Sequence, residues 1–316
     1  MVEALKAQQP LFVRALFFGV MANLLVLAPV AYMFQIYGRV IDSQSYSTMA
    51  WLIVLVSLAY LVMEMLDWAR AETLRAAGSK LDDALSSSVF QAMFALNRAK
   101  GLSGQIQPIQ DLRLLKEFLY SPVFIAILDA PMAIIFLLFV FALHPLLGLM
   151  TLLVALIQVC IGLRHGVQVR TLLVSAGQAS AKAQQYASSA LKNAQLIDAM
   201  GMYGAIQQRW RKTHDRYLQQ QTHASESSGA FQAVTKTMQL LLSSALLGLG
   251  AWILLDGALP GGSASMIVAS TLGGRVLAPA GLLVAQWRQL IQAREAQARL
   301  ADLLNTYPAR PAAMSL

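Results

Sequence analysis

Apolar residues fill positions 15–34, 49–63, 123–143, 146–163, 238–255 and 264–285 almost without interruption. These runs show neither the alternation of a half-buried strand nor the 3.6-residue stripe of a surface helix, so each is apolar all round. A run of about 18 or more apolar residues crosses a hydrocarbon core about 30 Å thick as a helix. Five runs reach that length; 49–63 stops at 15 residues, with Glu64 and Asp67 just beyond it. A tilted helix sets those carboxylates among the headgroups, so the pattern predicts six membrane-spanning helices.

Between the runs the chain behaves in two ways. His144-Pro145 is all that separates the third run from the fourth, which makes a tight hairpin. Residues 64–122 and 164–237 are instead long and mixed, rich in the helix formers Ala, Leu, Gln, Lys and Arg. Their breakers are local: Gly101, Gly104 and Pro108 in the first, Gly201 and Gly204 beside Met200 in the second. Each segment therefore reads as a helix leaving the membrane, a short elbow and a helix returning. Arms of about 25–35 residues at 1.5 Å per residue put the elbows about 40–50 Å from the bilayer. Each arm is expected to run unbroken into its span as a single long helix. A self-contained four-helix layer is the alternative, but elbows exposed so far out suit docking better than independent folding.

Composition excludes rivals. With 57% hydrophobic and 13% charged residues and a mean hydropathy of +0.56, the 316-residue chain is too apolar for a water-covered domain. Six spans leave both termini on one side and make 35–48, 144–145 and 256–263 the opposite loops. Of the 24 Lys and Arg, those loops hold only Arg39, Arg275 lies inside the sixth run, and the rest fall on the terminal side. The positive-inside rule then makes both termini cytoplasmic. Trp51 and Trp252 near the outer ends, and Trp68 and Trp287 past the inner ends, fit aromatic belts. The net charge of +8 thus needs no nucleic acid to explain it. Cys160 is the only cysteine, so no intrachain disulfide forms. The first run, 20 residues behind Lys6 and Arg14, exceeds the apolar core of a cleaved signal and reads as a retained span.

Local motifs narrow the class. "NLLVLAPVAYMFQIYGRVIDSQS" at 23–45, "ILDAPMAIIFLLFVFALHPLLG" at 127–148, "DAMGMYGAIQQRW" at 198–210 and "ASTLGGRVLAPAGLLVAQWRQLIQAREAQARL" at 269–300 follow in order. With the six spans and two long hairpins, they resemble the transmembrane domain of an ATP-binding cassette (ABC) exporter. More narrowly, they resemble the permease part of the type I secretion exporters of Gram-negative bacteria, which export proteases and lipases. The resemblance implies an all-α membrane protein: six transmembrane helices with two long cytoplasmic helical hairpins, the ABC exporter type I transmembrane-domain fold. It implies a homodimer whose subunits exchange helices, each elbow, at about 98–107 and 191–204, coupling to a nucleotide-binding domain. It also implies an inner-membrane location, a periplasmic adaptor, an outer-membrane channel and an unfolded secreted protein as substrate.

Under that resemblance, residues 1–10 form a cytoplasmic N-terminal segment, 11–305 the transmembrane domain and 306–316 a linker toward a nucleotide-binding domain that this sequence lacks. ATP and Mg are implied for that domain. No Gly-Lys pair of a P-loop occurs in these residues, and "LSGQ" at 102–105, short of one glycine of the cassette signature, reads as a turn. The chain alone is therefore expected to be no enzyme and to hold no cofactor.

Ionisable residues at membrane depth are functional or architectural by default, which singles out Asp129 and Arg275. Their depths roughly match, so an ion pair that fixes helix register is expected; lining a polar cavity for an unfolded polypeptide is the alternative. Asn23, Gln158 and Gln239 are expected to bond between helices, and Gly248 and Gly250 to admit close helix approach. Pro29, Pro131 and Pro279 are candidate kinks, static or bending during alternating access. His144, His165, His214 and His223 are scattered without i, i+4 partners, so no metal site is expected. No Gly-x-Ser-x-Gly elbow occurs, and no catalytic residue is assigned. The expected function is ATP-driven export of an unfolded protein. An exporter of peptides or lipids and a motorless helical scaffold are the alternatives.

Overall fold

The computed structural model describes residues 7–100 and 107–307, and among them every regular element is helical. The first span is α1 (Gln9–Leu25), α2 (Leu27–Gln35) and a π-helical turn over Ile36–Val40. Pro29 explains the first join, because it offers no N–H to the Leu25 carbonyl and the helical ladder is interrupted at Val26. The chain stays helical through Ser43 and reverses at Gln44, whose φ of 49° is left-handed. The outer loop expected at 35–48 is thus a turn at Gln44 and Ser45, with the helix itself satisfying the backbone groups that a loop would leave open.

α3 (Tyr46–Lys100) carries the second span straight into the first hairpin over 55 residues. Its return does not mirror it. α4 (Gln107–Leu119) stops, and α5 (Pro122–Leu143) starts afresh. A proline pushes the residue before it out of the helical region. Ser121 is accordingly extended (φ −74°, ψ 154°), and its hydroxyl caps α5 by accepting a hydrogen bond from the Phe124 N–H. The unbroken return arm expected from composition is therefore two helices jointed at the foot of the third span.

Only His144 separates α5 from α6 (Pro145–Lys192). It is extended (φ −162°, ψ 135°), Pro145 opens the next helix, and His144 Nδ1 accepts from the Leu146 N–H at 3.2 Å. α6 descends to α7 (Ala194–Ala199), and α8 (Tyr203–Leu255) returns over 53 residues. α9 (Gly262–Ala285) is the sixth span, followed after a break at Gln286 by α10 (Trp287–Thr306). Helix runs uninterrupted through Pro131 in α5 and Pro279 in α9.

Two apolar clusters hold these helices. In the membrane, Leu272 and Val276 of α9 meet Val30 of α2, Phe136 of α5, Leu147 of α6 and Leu246 of α8. Outside it, Leu81 and Leu85 of α3, Leu112 and Leu115 of α4, and Ala296 and Leu300 of α10 form a second cluster. Arg299 of α10 grips the buried Asp111 carboxylate of α4 with two bonds, 2.6 and 2.9 Å long, and these hydrogen bonds raise Arg299 above its ordinary pKa. The second hairpin has no such support. Below Val169 its buried positions are Ala176, Ala179, Ala183 and Ala224, and none of residues 184–223 is buried.

The aromatic belt departs from expectation at one residue. Trp51, Trp68 and Trp252 are mostly exposed, whereas Trp287 lies across α6, where its Nε1 donates to the Gly166 carbonyl at 3.1 Å. A Cβ at Gly166 would overlap the indole. Gly250 does admit close approach, since a Cβ there would stand 2.7 Å from Met266 Cβ, but Gly248 faces open space. Gly166→Ala is expected to destabilise the protein by about 1–3 kcal/mol through overpacking. Gly248→Ala is expected to hold stability or raise it by up to about 1 kcal/mol through helix propensity. Thermal unfolding of both variants in detergent checks the contrast.

Candidate functional site

Asp129 is held where the first three spans cross, and its partner is Arg70 of α3, not Arg275. Arg70 Nη2 lies 2.9 Å from Asp129 Oδ1, and Nη1 donates to Oδ2 at 3.2 Å. Asn23 of α1 donates to Oδ1 at 2.8 Å, the interhelical bond its position suggested. Arg70 also donates to the Ile125 carbonyl at 3.3 Å and is 2% exposed. Room for the guanidinium comes from Gly19, where a Cβ would stand 2.8 Å from Arg70 Cζ. Sequence reasoning missed Arg70 because it follows Glu64 and Asp67 and so counted as part of the cytoplasmic arm. The long uninterrupted α3 instead brings it alongside the inner third of α5.

Arg275 is exposed and makes no ion pair or hydrogen bond among the described residues. The helical register explains the separation. α9 turns Leu272, Gly273, Val276 and Leu277 into the bundle, leaving Arg275 on a different face with Thr271, Gly274 and Ala278. A guanidinium at the centre of a span facing lipid costs about 2.5–3.5 kcal/mol on insertion scales.

A second polar zone lies between α6, α8 and α9. Gln158 Nε2 donates to the Leu277 carbonyl at 3.3 Å, and the Ser243 and Ser270 hydroxyls meet at 2.6 Å. A Cβ at Gly281 would stand 3.1 Å from Gln239 Nε2, 3.4 Å from Thr235 Cγ2 and 3.5 Å from Gln158 Nε2, so three side chains converge on that glycine. Gln239 itself makes no hydrogen bond among the described residues, in contrast to expectation. His165 is buried against Phe231, ring centroids 3.9 Å apart, and no cluster of metal-ligating side chains forms among the described residues.

Of the elbow residues, Gly101 and Gly104 lie outside the described residues, and Pro108 belongs to the first turn of α4. The second elbow is fully described. Met200 caps α7, Gly201 turns the chain at φ 66°, where an L side chain is strained, and Gly204 lies in the first turn of α8. Leu191, Leu196, Met200 and Tyr203 are 75, 61, 62 and 67% exposed, which gives the tip an apolar face left open among the described residues.

The model of the ABC transporter transmembrane region matches residues 12–276. The chain belongs to that family. Over 310 residues it is 26% identical to the type I secretion system ATP-binding protein PrsD of Rhizobium meliloti (strain 1021), covering 96% of this chain and 53% of that protein. Its fold is similar to the structure of a bacterial Atm1-family ABC exporter with ATP bound, at a TM-score of 0.73 and 15% identity, covering 98% of this chain and 56% of the other. The chain thus spans about half the length of each relative. As an ABC transporter transmembrane region with six apolar helices, it is a multi-pass membrane protein.

In this ABC transporter region, Asp129→Ala strands a buried guanidinium and is expected to cost about 3–5 kcal/mol. Removing both charges in Arg70→Met/Asp129→Leu is expected to cost less than Asp129→Ala alone. Arg275→Gln is expected to change stability by under about 0.5 kcal/mol. Thermal midpoints in detergent decide it: a double variant that loses the sum of the Arg70→Met and Asp129→Leu single losses would sink the pairing.

Proposed function

We propose that the chain is the transmembrane half of an ATP-driven exporter that moves an unfolded protein out of the cytoplasm in type I secretion, by alternating access. The observation that carries this reading is the second hairpin, whose residues 184–223 include none that is buried and whose tip exposes Leu191, Leu196, Met200 and Tyr203. Two bare helices ending in an apolar tip call for two covering surfaces. A second copy of the chain covers the shafts by exchanging hairpins, and a nucleotide-binding domain covers the tip. ATP and Mg bind to that domain, and the chain itself performs no ATP chemistry.

Motion of the docked domains reaches the membrane as rigid-body displacement of helix pairs. The second hairpin delivers it to spans 4 and 5, while Arg299 on Asp111 joins α10, and so span 6, to the first hairpin. The inner membrane, cytoplasmic termini, a periplasmic adaptor and an outer-membrane channel complete the assembly. A relative named as a type I secretion ATP-binding protein favours a polypeptide over a lipid as the cargo.

The test joins the chain to its nucleotide-binding domain, supplies adaptor and channel, and measures secretion of an unfolded reporter protein. Leu196→Asp/Met200→Asp is expected to lower secretion by about 5–150-fold, the scale of a coupling free energy of about 1–3 kcal/mol, with basal ATPase activity retained. Unchanged secretion would remove the tip from the coupling path. Lipid transport without protein transport by the unaltered exporter would overturn the cargo.

A further inference from the structure

Around Gly281 of α9, polar side chains of α6 and α8 converge without bonding one another. Gln158 and Thr235 are 1 and 5% exposed. Gln158 Nε2 donates to the Leu277 carbonyl at 3.3 Å, which fixes the carboxamide and leaves its Oε1 as a free acceptor. Gln158 Oε1 and Thr235 Oγ1 are both shut off from solvent, and neither has a hydrogen-bond partner among the described residues. Gln239, whose Nε2 comes nearest to the Cβ position of Gly281 at 3.1 Å, is likewise without a hydrogen bond among them.

We propose that Gln158, Thr235 and Gln239 bind an ordered water molecule, which bridges the fourth and fifth spans against Gly281 of the sixth. The site belongs to the spans themselves and stands whichever cargo the chain moves.

The donors and acceptors match that ligand. A carboxamide oxygen only accepts, a carboxamide nitrogen only donates and a hydroxyl does both. A water that donates to Gln158 Oε1 and Thr235 Oγ1 and accepts from Gln239 Nε2 satisfies all three at once, and about three bonds is the usual number for a buried water. Left bare, the same buried atoms cost folding free energy. Thr235 also departs from the habit of other helical threonines in this chain. Thr73, Thr151 and Thr271 each donate to the carbonyl four residues earlier, at 2.7, 2.8 and 2.9 Å, whereas Thr235 makes no such bond. Its hydroxyl is therefore available to a ligand between the helices.

The place suits a neutral ligand. Residues 146–163, 235–255 and 264–285 contain no carboxylate, so a bound cation has no counter-charge there and a water needs none. Pro279, two residues before Gly281, lacks the N–H that would close its helical turn. Ordered waters are among the groups that restore bonding where a proline interrupts a spanning helix. Gly281 itself brings no side chain between α6 and α8, so the polar ends are left facing one another across a short gap.

The full exporter, with its nucleotide-binding domain, is imaged in nanodiscs by electron microscopy at a resolution that shows single waters. A density peak is expected about 2.7–3.2 Å from Gln158 Oε1, Thr235 Oγ1 and Gln239 Nε2. No peak overturns the site, and so does a peak with oxygen contacts of about 2.3–2.6 Å, which are those of a hard cation. Thermal unfolding of the same protein gives a second reading. Thr235→Val keeps the side chain's shape and removes one of the water's partners, and is expected to lower the midpoint by about 2–4 °C. Gln239→Met is expected to lower it as well, and the double variant by less than the two losses together, because both act on one water. Thr235→Ser keeps the hydroxyl and is expected to retain the density peak. A midpoint that rises in Thr235→Val overturns the proposal, since deleting a hydroxyl that is buried with no partner relieves its desolvation.

Discussion

In hydrocarbon no water is available to hydrogen-bond the backbone, so every N–H and C=O must be satisfied within the segment that carries it. That constraint explains more of this molecule than any single contact. It turns six apolar runs into helices and stretches the first span to Val40 through a π-helical turn. It also reduces the joint between α5 and α6 to His144, whose ring nitrogen accepts the Leu146 N–H that a proline-initiated helix leaves open. The joint at the foot of the third span, at Ser121, comes with its own cap.

Charge is sorted with similar economy. In the first half of the chain, cations and carboxylates meet: Arg70 with Asp129, Lys116 with Asp82. The Arg70 pair is desolvated, with a tight glycine beside the guanidinium and a second donor from Asn23, and geometry of this quality is what an ion pair needs to offset its desolvation. The second half keeps cations without carboxylates over long stretches, and Arg275 stands unpaired on a face of small residues.

The two hairpins differ as much as the two halves. The first is braced by leucines, by α10 and by Arg299 on Asp111, and so can hold its shape within one chain. The second is a pair of alanine-packed shafts with an uncovered end. Alanine brings helix axes close but buries little area, so such a pair gains most of its stability from what it docks against. Rigid shafts joined to the membrane by uninterrupted helix suit the transmission of a displacement over distance.

Six apolar helices, the second elbow at Gly201 and the tight joint at His144-Pro145 were legible in the residues, because apolar length and Gly or Pro breakers are local properties. The family was legible for a similar reason, as ordered short motifs over most of the chain. The break at Ser121 was readable too, since Pro122 dictates it, yet a composition-based view of the arm passed over it. What the sequence could not decide is which polar groups meet. Asp129 and Arg275 match in depth, but helix rotation, which depends on packing against every neighbour at once, turns one toward α1 and α3 and the other away. The tilt and length of α3 decide that Arg70 reaches Asp129.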